Sequence, residues 1–174
     1  MATNSIFFIE LIVVQVRFLS SNILSLFISY NMKICIIDDE WICHLITQKL
    51  IEKMISDSQI LHFANGQDAF DFFVQHHLTP SSLPDLIFLD INMPVANGWK
   101  FLDMLEELKV NDYDPRIYIT SSSQDIDDIT TAENYSVVQG YLPKPLTPSM
   151  LKEIFRDMGR YCLNPISKME YQYQ

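Results

Sequence analysis

The chain has 174 residues, 48% of them hydrophobic and 20% charged, with a formal net charge of −10. This length and balance describe one folded domain and exclude a disordered or low-complexity chain. The excess of acid, with the few Lys and Arg residues scattered, excludes the basic footprint that a nucleic-acid partner requires.

Residues 1–31 are strongly apolar but do not form an ordinary targeting signal, because no Lys or Arg precedes Arg17 and no small-residue cleavage site is evident. Glu10, Gln15 and Arg17 also interrupt a spanning run, which needs about 20 apolar residues. Three readings remain: a weak membrane anchor, an extra packed helix, or a leader upstream of the true start. The leader is preferred. Met32-Lys33 stands directly before the first strand, and residues 1–31 carry one Glu and one Arg, so removing them leaves the net charge unchanged.

Residues 33–38, rich in Ile, predict a central parallel strand, and residues 41–54 a helix with Trp41, Leu45, Ile46, Leu50 and Met54 at helical spacing. Residues 59–63 predict a second strand. Asn65-Gly66 turns the chain into a helix whose apolar face is Ala69, Phe70, Phe73 and Val74, and residues 78–84 form a polar, Pro-containing connection. A third buried strand spans 86–89, a loop 93–98 and a helix 99–108. A fourth strand spans 116–120, after which Ser121 to Ser123 are expected to cap a helix over 124–134. A fifth strand at 137–142 and a helix at 148–161 complete the order.

Strands alternating with helices imply right-handed βαβ crossovers and a parallel sheet covered on both faces. Ligands of such folds bind beyond the carboxyl ends of the strands, where strand order reverses. Asp38, Asp39, Asp90 and Thr120 all fall at predicted strand ends. Crowded carboxylates repel, and a hard divalent cation or a shared proton is the usual remedy.

Cys35, Cys43 and Cys162 are odd in number and follow no zinc spacing, which points to a reducing, cytoplasmic setting. Cys35 is expected in the core as a small apolar side chain. His44, His62, His76 and His77 lack a ligand spacing and read as solvated or packed residues, and the run from Asp125 to Asp128 as the exposed first turn of a helix.

The pair Asp38-Asp39, the segment Asp90-Ile-Asn-Met-Pro-Val-Ala-Asn-Gly98, the strand end at Thr120 and Gly140-Tyr-Leu-Pro-Lys-Pro145 together resemble a response-regulator receiver domain of two-component signalling, over residues 32–161. The resemblance implies a doubly wound, five-stranded, three-layer α/β fold of the flavodoxin-like kind. It implies that Asp90 accepts a phosphoryl group from a sensor histidine kinase or a histidine phosphotransfer protein. It further implies Mg²⁺ held by Asp38, Asp39, Asp90 and the backbone carbonyl of Asn92. Thr120 and Lys144 would stabilise phosphoryl oxygens, Lys144-Pro145 would be a cis peptide, and Gly98 would permit the turn after the Asp90 loop. Thr120 with Tyr141 would form a switch that changes how the fourth helix, fifth strand and fifth helix bind a downstream protein, with phosphorylation-dependent homodimerisation left open.

The chain departs from the family pattern in a long segment between Thr120 and Lys144, in Asn134-Tyr-Ser-Val-Val-Gln where a small-residue turn is usual, and in Pro143 before Lys144. The tail at 162–174 is too short for an output domain, so the expected output is a protein contact or onward phosphoryl transfer in a relay. A phosphorylation-independent pseudo-receiver would usually have lost the acidic pair, Asp90 or the lysine. A small phosphatase of the haloacid dehalogenase type would need Asp-x-Asp at the nucleophile, where this chain has Asn92.

Overall fold

The structure, a computed structural model, describes residues 32–55, 58–123 and 125–159. Residues 1–31 and 162–174, assigned above to a leader and a tail, lie outside the described residues. The last helix, expected to run to Tyr161, ends at Asp157, where Met158 caps it and Gly159 turns the chain with φ of 65°.

Five strands form one sheet: β1 (Met32–Ile37), β2 (Ser58–Phe63), β3 (Leu86–Asp90), β4 (Arg116–Ser121) and β5 (Val138–Pro143). Their spatial order is β2-β1-β3-β4-β5, and every neighbouring pair is parallel. The helices are α1 (Trp41–Met54), α2 (Gly66–His76), α3 (Gly98–Leu108), α4 (Ile126–Ala132) and α5 (Pro148–Asp157), with a short 3₁₀ turn at Pro80–Ser82 before β3. This is the doubly wound, five-stranded α/β architecture that the alternation implies.

Side chains alternate across the pleat and divide the core in two. Cys35, Ile37, Ile87, Leu89 and Ile117 pack with Ala69 and Phe73 of α2 and Phe101, Leu102 and Leu105 of α3. Ile34, Ile36, Leu86 and Phe88 point the other way, to Ile51 of α1 and Leu151, Ile154 and Phe155 of α5. Strands β1 and β3 are thus buried on both faces, which explains their nearly unbroken apolar sequence. Burial of Cys35 pushes its thiol well above the ordinary range, so it serves as a core residue.

The helix expected over 41–54 is present, and one expectation, on α4, is corrected. The outer residues of α1 are Trp41, Ile42, Leu45 and Ile46, all exposed, whereas Thr47 and Ile51 are the buried ones and Leu50 and Met54 are partly covered. Helical spacing alone gives two overlapping faces here, and packing on the sheet selects the one that carries Thr47 and Ile51. The helix predicted over 124–134 is the shorter α4, and its cap is Asp125, whose side chain accepts from the Asp127 amide at 3.1 Å. Ser121 remains in β4, and the Ser121 and Ser123 hydroxyls accept from the Ser123 and Asp125 amides, so the serines build the approach to the helix instead of capping it.

Candidate functional site

Strand order reverses between β1 and β3, the switch point at which open parallel sheets hold their ligands. Asp38 and Asp39 follow β1, and Asp90 ends β3 beside it. Asp38 and Asp90 are 3% and 4% exposed, while Asp39 stands in solvent at the rim. One oxygen from each of the three carboxylates lies within 4.8 Å of the others. They form the one such cluster of potential metal ligands among the described residues.

Lys144, beyond the end of β5, supplies the positive charge. Its Nζ lies 2.7 Å from Asp38 Oδ2 and 2.8 Å from Asp90 Oδ2. Its backbone amide donates to the Ser121 carbonyl at 2.9 Å, and the Lys144–Pro145 peptide is cis. Burial works to strip the ammonium of its proton, but the bonds to Asp38 and Asp90 outweigh it and hold the group above the ordinary lysine value. Burial also holds the Asp38 carboxyl above the usual carboxylate range, although Lys144 and the Glu40 amide, donating to Asp38 Oδ1 at 2.9 Å, pull it down.

Asp90 Oδ1 accepts from the Asn92 amide at 3.1 Å, which starts the turn toward α3. That turn closes through Gly98. A Cβ on Gly98 would stand 2.5 Å from the Asp90 carbonyl oxygen and 2.9 Å from Ile91 Cα, so only glycine lets α3 begin directly behind the acidic loop. Gly66 does the same at α2, where a Cβ would meet the Ala96 carbonyl at 2.8 Å.

Thr120, the next-to-last residue of β4, stands opposite Asp90 in register and is 4% exposed. With Asp38, Lys144 and Pro145 it lines a cleft closed by Ile36, Phe88 and Leu146 from below and by Cys43, Ile46 and Thr47 of α1 at the side. Thr47 was not among the residues named from the sequence, and Cys43 was named there only as a cysteine outside any zinc spacing. Polar residues on a helix normally face water, and only the packing of α1 turns these two toward the cleft.

Tyr141 does not line that cleft. It faces Ile119 across β4 and β5 and packs with Ile91, Ile119 and Ala132, while Thr120 sides with Ile36 and Phe88. The two residues therefore leave the sheet on opposite faces. Their connection is the loop after β4, where the Tyr141 hydroxyl donates to the Ser123 carbonyl at 2.9 Å.

Fold and site together define a class: a doubly wound α/β domain with a lysine-bridged carboxylate cluster at the switch point of its sheet. The response regulator receiver domain family matches residues 34–156, and the chain belongs to that family. It is 27% identical to a chemotaxis protein CheY homolog of Campylobacter jejuni over 127 residues, covering 73% of this chain and 92% of that protein. It is 32% identical to the nitrate/nitrite response regulator NarL of Escherichia coli over 118 residues, 68% of this chain but only 50% of NarL. Among solved structures, a two-component response regulator from Cytophaga hutchinsonii superposes with a TM-score of 0.66 at 26% identity, covering 73% of this chain and 96% of that one. Among the described residues no helix is long and apolar enough to cross a membrane.

Proposed function

We propose that Asp90 is the phosphoacceptor of a response regulator whose folded domain occupies residues 32–161, and that its charge state controls binding to a downstream protein. The observation that carries this reading is the bridging of Lys144 Nζ between Asp38 Oδ2 and Asp90 Oδ2, with the Asp39 carboxylate alongside. A carboxylate that attacks a phosphoryl group brings two anions together, and this cluster has the groups to manage that charge.

An Asp90 oxygen would form a bond to phosphorus as the bond from phosphorus to the donor histidine nitrogen breaks. The electron pair stays with the imidazole, which takes a proton from solvent. Lys144 would then bond the incoming oxygens that compete with Asp38 and Asp90, and the Thr120 hydroxyl would donate to another. Three hard carboxylates within reach of one another suit Mg²⁺, which Asp38, Asp39, Asp90 and the Asn92 carbonyl would hold. When bound, Mg²⁺ supplies charge screening and an octahedral frame for the reacting oxygens.

The donor would be a histidine kinase or a histidine phosphotransfer protein in the cytoplasm, and the output surface would be formed by α4, β5 and α5. Thr120 and Tyr141 would shift that surface through the loop between β4 and α4. Incubation with acetyl phosphate and Mg²⁺, read by a phosphate-affinity gel, tests the core of this reading. A shifted band that Asp90→Asn abolishes supports it. A folded protein that shows no shift would point to a phosphorylation-independent partner module, and loss of label to a histidine phosphotransfer protein would point to a relay.

A further inference from the structure

The first two turns of α1 are held to the sheet by few apolar side chains. Trp41, Ile42, Leu45 and Ile46 are exposed, Thr47 is the one buried residue there, and the buried Ile51 lies further along. At this end α1 meets β2 through a pair of histidines. The His44 ring stacks on the His62 ring with centroids 4.9 Å apart and planes inclined by 29°. Nε2 of His44 is buried without a hydrogen-bond partner among the described residues, while His62 keeps part of its ring in solvent, where protons reach it. The same stretch of helix supplies Cys43, Ile46 and Thr47 to the wall of the cleft around Asp38, Thr120 and Lys144.

Neutral rings suit this arrangement and charged rings do not. Burial, and after it the His44 ring, hold the His62 imidazole below the ordinary histidine value. A proton on each ring would set two cations face to face and leave a buried N–H on His44 with no acceptor.

The neighbouring charged groups are engaged elsewhere. On α1, Glu40 accepts from the Cys43 thiol and Glu52 from Gln48 and Lys49. On α5, which packs against α1, Glu153 and Asp157 act on Tyr118, and Arg156 pairs with Asp157. On β1 the register partner of His62 is Ile36. No carboxylate among the described residues is hydrogen-bonded to either ring.

We propose that the stacked rings of His44 and His62 form a proton-released clasp, which holds the first half of α1 and one wall of the Asp38–Lys144 cleft against β2 at neutral pH and frees them on acidification. The proposal stands on the packing of α1 and does not require that Asp90 be phosphorylated.

An NMR titration of the full chain from about pH 8 to about pH 5 tests it. The His62 ring should titrate below the ordinary histidine value of about 6.5, and the amides of Trp41, Ile42, Leu45 and Ile46 should shift with the same midpoint. In His62→Phe, which keeps a stacked ring but binds no proton, those amide shifts should be lost. Amides that stay still through the His62 midpoint, or that move equally in His62→Phe, overturn the clasp, as does a His62 midpoint at or above the ordinary value. If His62→Phe does not fold, the shared midpoint in the unaltered chain decides the matter, with His44→Phe as the second variant.

Discussion

The Tyr141 hydroxyl, on β5, reaches the Ser123 carbonyl at 2.9 Å and so ties β5 to the loop that follows Thr120. The aromatic ring and Thr120 lie on opposite faces of the sheet, so this bond is a direct handle of one on the other's loop. Tyr141→Phe should leave the ring packed against Ile91, Ile119 and Ala132 and cost no more than about 1 kcal/mol. Hydrogen exchange between Ser121 and Ile126 should quicken while β3 stays protected. Unchanged exchange in that loop would remove the coupling role given to the hydroxyl.

Asp38 makes stability depend on pH in a defined direction. Its folded carboxyl binds a proton more readily than the unfolded chain does, because burial penalises the charge. The stability associated with it is therefore fully present below the unfolded value of about 3.9 and is lost as pH rises through the higher folded value. Asp38→Asn should raise stability at neutral pH, with the gain vanishing in acid. Urea unfolding at neutral pH and below about pH 4 reads this, and a loss at neutral pH would mean that the pair with Lys144 outweighs desolvation.

Mg²⁺ should stabilise the unaltered protein, by about 2.7 kcal/mol at a hundredfold excess over its dissociation constant. Asp38→Asn and Asp39→Asn should blunt the rise in melting temperature, since each removes one charge from the proposed ligand set. A Mg²⁺ response that survives both substitutions would place the ion elsewhere.

Gly98→Ala should be costly for a small change. The added carbon would press on the Asp90 carbonyl at 2.5 Å, a contact with backbone that no rotamer relieves. A loss of about 1–3 kcal/mol is expected from overpacking, together with slower labelling of Asp90 by acetyl phosphate, because the same turn positions that carboxylate.

Val95 lies in the loop between β3 and α3 with φ of 68° and is 80% exposed. A β-branched residue is strained in this left-handed region by about 1–2 kcal/mol. Val95→Asn or Val95→Gly should therefore raise the denaturation midpoint, and no gain from either would show that the loop relaxes in solution.

The two faces of α1 can be told apart by truncation. Trp41→Ala should change stability by less than about 0.5 kcal/mol, whereas Ile51→Ala, at a fully buried position, should cost about 2–5 kcal/mol. Calorimetry on both variants would check whether α1 sits as described, and equal losses would contradict it.

The strands were legible because β1 and β3, covered on both faces, have no polar side to hide, so Ile34 to Ile37 and Leu86 to Leu89 read as unbroken apolar runs. The acidic pair and Asp90 were legible for a related reason, since each interrupts such a run where a strand ends. Helix faces were less so. Trp41, Leu45 and Ile46 satisfy helical spacing as well as Thr47 and Ile51 do, and only the sheet beneath α1 selects between them. The cap of α4 was misplaced for a local reason: three serines and Asp125 all offer capping oxygens, and the extension of β4 to Ser121 decides which is used.

The amino-acid sequence by itself determined the order of elements, the parallel sheet and the identity of the residues that gather at its edge, because period and strand-end chemistry are local properties. Only the tertiary structure decided that Lys144 bridges Asp38 and Asp90, that Tyr141 and Thr120 face opposite ways, and that His44 meets His62. Those relations join residues that are distant along the chain. Strand register and helix rotation set them, and both follow from packing the whole core at once.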